Sequence, residues 1–122
     1  MRTLIIGDIV GRTGRNAVFE HLLGLIDSLS LDFVIANGEN ATHGFGLSPE
    51  HANALLGAGV DCIILGNHSF DRKEIIPMME SDDRILRPLN YPAGTPGRGH
   101  GIYTARNGLR VGVAQTLSLI HI

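Results

Sequence analysis

Three short stretches place oxygen and nitrogen ligands directly behind apolar runs. "TLIIGDIVG" delivers Asp8 after Gly7, "FVIANGEN" delivers Glu39 and Asn40 after Gly38, and "CIILGNHSFD" delivers Asn67 and His68 after Gly66. Carboxylate and amide oxygens combined with an imidazole suit a divalent transition metal such as Mn²⁺, Fe²⁺ or Zn²⁺. A glycine ahead of each group lets the backbone turn sharply with no Cβ in the way. Taken singly, each group has a plainer reading: Asp8 as a turn former or helix cap, Glu39 and Asn40 as turn residues, His68 as a hydrogen-bonded structural histidine. Taken together, they offer ligands at three strand ends, and no simple structural need accounts for all three.

The elements that must position these groups follow from the hydrophobic pattern. Arg2–Ile6, Asp32–Ala36 and Asp61–Leu65 are short, nearly continuous apolar runs, as expected of strands buried on both faces. Val18, Leu22, Leu25, Ile26 and Leu29 recur at helical spacing and predict a helix over about Arg15–Ser28. Ser48-Pro49-Glu50 is a helix start, with a serine cap, proline at the first helical position and a carboxylate in the first turn. That helix turns Ala52, Leu55 and Leu56 inward and stops near Gly57 or Gly59. Asp71–Glu80 reads as a further helix capped by Asp71, and "RILRP" holds a short strand ahead of Pro88. From Asn90 to Gly101 the chain is loop, and "GIYTA" and "LRVGVAQ" form a hairpin around Arg106-Asn107-Gly108.

Strands alternating with helices give an α/β fold: a βαβ-type, mostly parallel sheet flanked by helices. In such sheets ligands bind beyond the carboxyl ends of the strands. Asp8, Glu39, Asn40, Asn67 and His68 all fall there, so parallel neighbours bring them to one rim. His21 and His51 read as surface residues on helices. His43, in the loop after Asn40, and His100, in a glycine loop, take the same plain reading, with substrate contact the lesser alternative for His43. A dinucleotide-binding turn at Gly7, Gly11 and Gly14 fails on spacing, because Gly-x-Gly-x-x-Gly is absent. A phosphate loop fails for want of Gly-Lys-Ser/Thr.

Bulk composition narrows the class. With 122 residues the chain is one domain at most, or part of one, and 43% hydrophobic with 18% charged residues suits a packed globular core. A net charge of −2 leaves no footprint for duplex nucleic acid or an anionic membrane. The one cysteine, Cys62, sits in an apolar run as a small buried hydrophobe, which excludes an internal disulfide and fits a reducing compartment. No signal-peptide core or membrane-length apolar run is visible, so a cytoplasmic location is expected.

"GDIVGRTGR", "NGENATHGFGL", "LGNHSFD" and "RPLNYPAGTPGRG" together resemble the YmdB-like branch of the calcineurin-like metallophosphoesterases, over Met1 to about Thr116. Gly-Asn-His marks the wider superfamily. The glutamate in Gly-Glu-Asn, where most relatives have aspartate, and the "RPLNYPAGTPG" run mark this branch. The resemblance implies the N-terminal half of a metallophosphoesterase sandwich and two divalent metal ions, Fe or Mn foremost and Zn as the alternative. It implies that Asp8 binds the first metal, Glu39 bridges both, Asn40 completes contacts to the first, Asn67 binds the second and His68 protonates the leaving oxygen. The implied reaction is hydrolysis of a phosphodiester, with 2′,3′-cyclic nucleotides as the substrate class. The resemblance also leaves room for a homo-oligomer of the full-length protein. Val10 stands where the wider superfamily has a histidine that this branch also lacks.

Two departures bear on what this chain does. Family members are roughly twice as long, and their second half brings three more histidines to the metals. The last residues, Leu117–Ile122, do not resemble the family's continuation and match one reading frame of a sequencing-library adapter. On that reading residues 1–116 are the N-terminal part of the domain, 117–122 are a non-native tail, and His121 is not a ligand. A truncated chain is then expected to bind metal weakly and turn over little. The rival from another class is a short, non-catalytic module that binds a nucleotide or a protein partner. A nucleotide-binding α/β protein that needs no metal is the third reading.

Overall fold

Every strand of the main sheet runs in the same direction. The computed structural model describes residues 1–118 and gives β1 (Thr3–Asp8), α1 (Gly11–Leu29), β2 (Phe33–Asn37), α2 (Pro49–Gly57), β3 (Cys62–Ile64), α3 (Ile76–Ser81), β4 (Ile85–Leu86), β5 (His100–Thr104) and β6 (Arg110–Ala114). The parallel sheet has the order β1-β2-β3-β4, and β5 and β6 form a separate antiparallel pair. The α/β fold expected from the sequence is therefore present. Of the adapter-tail reading, residues 119–122, His121 included, lie outside the described residues.

Alternation along the strands sends side chains into two layers. Val34, Ala36, Ile63, Leu65 and Ile85 join Val18, Leu22, Leu55 and Met79 in one core. Phe33, Cys62 and Leu86, on the other face, pack with Ala105 and Val113 of the hairpin. Cys62 is fully buried as expected, and burial raises its thiol pKa to about 11. Among the described residues no helix is long and apolar enough to cross a membrane.

Four expectations are corrected. β1 is an edge strand, not one buried on both faces, and Ile5 on the hairpin side is 68% exposed. Helix α1 starts four residues earlier than its apolar spacing predicts. Gly11–Gly14 carries no apolar period, but Gly14 lies so close to Ile9 that a Cβ there would sit 3.1 Å from Ile9 Cγ2. Leu25 and Leu29, expected inward, are 40% and 43% exposed, since α1 buries only Arg15, Val18 and Leu22 deeply. The helix expected over Asp71–Glu80 is a 3-10 turn, Lys73–Ile75, leading into the shorter α3. Pro77 explains the break: it has no N–H to give Lys73 and is tolerated only in the first turn.

Helix α2 keeps its predicted start. Ser48 Oγ accepts the His51 amide at 3.2 Å and Pro49 opens the helix. The hairpin turns at Arg106–Gly108, with Gly108 at φ +86°. Arg106 ties it to the sheet, donating Nη1 to Asp61 Oδ2 at 2.7 Å and its amide to Asp32 O at 2.9 Å.

Candidate functional site

Asp8 is the last residue of β1, and a register irregularity between Ile6 and Asp8 falls on Gly7. Such a bulge breaks the alternation and re-aims the side chain that follows. Glu39 and Asn40 sit in the turn after β2, and Asn67 and His68 in the turn after β3. Because β1, β2 and β3 are parallel neighbours, these turns share one rim.

Hydrogen bonds link the three strand ends. Asn40 Nδ2 donates to both Asp8 oxygens, at 2.9 and 3.0 Å. The His68 amide donates to Glu39 Oε2 at 3.2 Å. Asn67 is exposed and its side chain makes no hydrogen bond with the described residues. All five predicted residues thus come to one edge, four of them in direct bonded pairs.

Four further residues hold this rim and were not picked out as site residues in the sequence. Asn37 Nδ2 donates to Glu39 Oε1 at 3.1 Å and Asn37 Oδ1 accepts the Glu39 amide at 3.0 Å, so both ends of one side chain grip the glutamate. Asp71, expected as a helix cap, instead places Oδ2 2.6 Å from His68 Nδ1. The turn that closes with Asp71 N–H on His68 O brings residues three apart onto one side, so the Gly-Asn-His-x-x-Asp spacing was the available signal. Tyr91 Oη donates to Gly66 O at 3.2 Å, and burial, with the Glu39 and Asp71 charges adding to it, raises its phenol pKa. Arg15 is buried and donates to Ala41 O at 2.6 Å, beside Asn40.

Gly66 has a steric duty at the rim: a Cβ there would collide with the Glu39 carboxylate, lying 2.7 Å from its Cδ. The loop after Asn40 is held from below, where Thr42 Oγ1 accepts the Ser48 amide at 2.8 Å and lies 2.7 Å from His51 Nδ1. His51 is therefore half-buried and bonded, not the surface residue expected. Burial first, then the nearby Arg15 charge, lowers its pKa from 6.5. His21 and His100 are exposed.

The donor chemistry fits a hard divalent cation, since two carboxylates and two amide groups share the rim. Asn40 spends its NH₂ on Asp8, which leaves its carbonyl oxygen as the ligand atom. Among the described residues, no group of three or more His, Cys, Asp or Glu side chains stands ready to hold a metal.

Comparison with known proteins shows the family and the fold. The family model described as "YmdB-like protein" matches residues 4–121. The chain is 42% identical over 113 residues to a 2′,3′-cyclic-nucleotide 2′-phosphodiesterase of Bacillus subtilis (strain 168), covering 93% of this chain and 42% of that one. The crystal structure of a hypothetical protein from Thermus thermophilus superimposes with a TM-score of 0.93 at 43% identity, over 100% of this chain and 47% of that one. That of a novel phosphatase from Mycoplasma pneumoniae gives 0.86 at 30% identity, over 96% and 43%. The chain spans less than half the length of these relatives.

Proposed function

Because the chain belongs to the YmdB-like protein family, we propose that it is the N-terminal part of a metal-dependent phosphodiesterase acting on 2′,3′-cyclic nucleotides or related phosphodiesters. The observation that carries this reading is the pair of bonds, Asn40 to Asp8 and His68 N–H to Glu39, that draws three strand ends into one ligand-bearing rim.

Asp8, Glu39, Asn40 and Asn67 are the residues proposed to hold two divalent ions, Fe or Mn foremost. When bound, such ions neutralise phosphoryl charge and acidify water. Asn40 fixes the Asp8 carboxylate, and Asn37 with the His68 amide fixes Glu39, so neither carboxylate needs to reorganise on binding. His68 is the proposed general acid. With Nδ1–H held by Asp71, the imidazolium is the form that would act, giving its proton from Nε2. The attacking water would give one proton to solvent as its oxygen forms the new bond to phosphorus, the ester P–O bond would break, and the departing oxygen would take the His68 proton.

Two carboxylates, Asp8 and Glu39, among the ligand candidates are few for two metals, which supports the proposal that residues 1–116 need three histidines from a second half to turn over well. The tail Leu117–Ile122 is proposed to be translated adapter sequence. Genomic DNA encoding these six residues in frame would refute that.

The test is a Mn²⁺ titration of the ¹⁵N-labelled chain. Selective broadening of the Asp8, Glu39, Asn40 and Asn67 amides, lost in Glu39→Gln, is the expected result. Broadening spread evenly over surface carboxylates, or unchanged in Glu39→Gln, overturns the metal assignment.

A further inference from the structure

The segment His43-Gly44-Phe45-Gly46 sets one aromatic residue between glycines in a polar loop. Its ends are anchored, since Ala41 and Leu47 are fully buried. Its backbone is closed on itself by Thr42 N–H to Gly46 O at 3.0 Å and Phe45 N–H to Thr42 O at 3.1 Å. His43 at φ +51°, Gly44 at +91° and Gly46 at +74° turn the chain so that Phe45 stands at the apex. Phe45 is 52% exposed, yet it is not loose. Arg72 Cζ lies 5.3 Å from its ring centroid, and Arg72 Nε donates to Phe45 O at 3.3 Å.

The loop also lies between two of the ligand stretches. On one side Gly44 N comes within 3.8 Å of where a Gly11 Cβ would stand, against the turn that follows Asp8. On the other, a Cβ on Gly46 would lie 3.2 Å from Asp71 Cβ and 2.7 Å from Arg72 Cγ. Asp71 is the residue that holds His68. An exposed, fixed aromatic face therefore stands on the loop that packs against Asp71, the residue that holds the proposed proton donor.

Resting on the phosphodiesterase reading, we propose that Phe45 is the platform on which the nucleobase of the substrate stacks, with Arg72 as its support. A base offers a flat π-face to such a ring, and stacking tolerates any of the four bases. A ring already fixed by Arg72 loses little side-chain freedom on binding. The guanidinium lies over one face of the ring, which leaves the other face for the base.

The experiment uses the ¹⁵N-labelled chain with two probes: adenosine, which has a base and no phosphate, and glycerol 2-phosphate, which has a phosphate and no base. Adenosine is expected to shift the amides of Gly44, Phe45, Gly46 and Arg72. Its affinity should fall about tenfold in Phe45→Ala and be kept in Phe45→Trp. Glycerol 2-phosphate should bind both variants equally. Absence of adenosine shifts at this loop, or an affinity unchanged in Phe45→Ala, overturns the proposal. Equal weakening of both probes does so too, because it would mark a general loss of structure. Mn²⁺ broadening at Asp8 and Glu39 in the same samples reports the metal reading separately, so either can fail alone.

Discussion

Asp71 Oδ2 sits 2.6 Å from His68 Nδ1, within a single turn that follows β3. A carboxylate at Nδ1 selects the tautomer of the neutral ring, because it accepts a hydrogen bond and has none to give. We expect the neutral His68 ring to carry its proton on Nδ1, and Asp71→Ala to move the population toward Nε2. Long-range ¹H–¹⁵N spectra of the imidazole check this, and an unchanged tautomer in Asp71→Ala would remove Asp71 from the positioning role.

Gly66 gives the second expectation. A methyl group there meets the Glu39 carboxylate, in a turn where Gly66 O also receives Tyr91 Oη. Gly66→Ala should destabilise the fold by about 1–3 kcal/mol through overpacking and weaken Mn²⁺ binding by shifting Glu39. Urea melts and the same broadening titration measure the two effects. Wild-type stability with wild-type broadening would show that the turn yields without moving the glutamate.

Arg106 tests how the hairpin is held. Its guanidinium reaches Asp61 Oδ2 at 2.7 Å and Gly59 O at 3.2 Å, while Asp61 Oδ2 also accepts the Val34 amide at 2.8 Å. The pair is partly exposed, so Arg106→Ala should cost only about 1 kcal/mol. Asp61→Ala should cost more, because it also leaves the Val34 amide without its acceptor. Equal losses in the two variants would argue against this ordering, and denaturant midpoints decide.

His51 predicts a pH dependence. Its pKa is lowered from 6.5 by burial first and by Arg15 second, so the unfolded chain takes up the proton before the folded one does. Its contribution to stability is therefore present above pH 6.5 and is lost as the pH falls below that value, through the lower folded pKa. Thermal melts between pH 7.5 and about 5 should show this slope, and His51→Gln should flatten it. A slope that persists in the variant would assign it to other groups.

Local pattern was enough to read the parallel α/β order, the burial of Cys62, the Ser48 cap, the hairpin at Asn107-Gly108 and the five residues at the strand ends. Apolar period, cap chemistry and glycine placement act over a few residues, and parallel strand ends share a rim by topology. Which groups hold those five became visible only in the folded chain. Asp71 turned from a helix cap into the partner of His68 because Pro77 shortened the helix and the turn after Gly66 brought the two side chains together. Asn37 serves Glu39, and Arg15 serves the Ala41 carbonyl from a helix 26 residues away, because folding puts side chains next to backbone groups that no local period connects. The exposure of Ile5 arose in the same way. An apolar run sets how strongly a strand seeks burial, but its place at the sheet edge, beyond the reach of the hairpin, sets how much it finds.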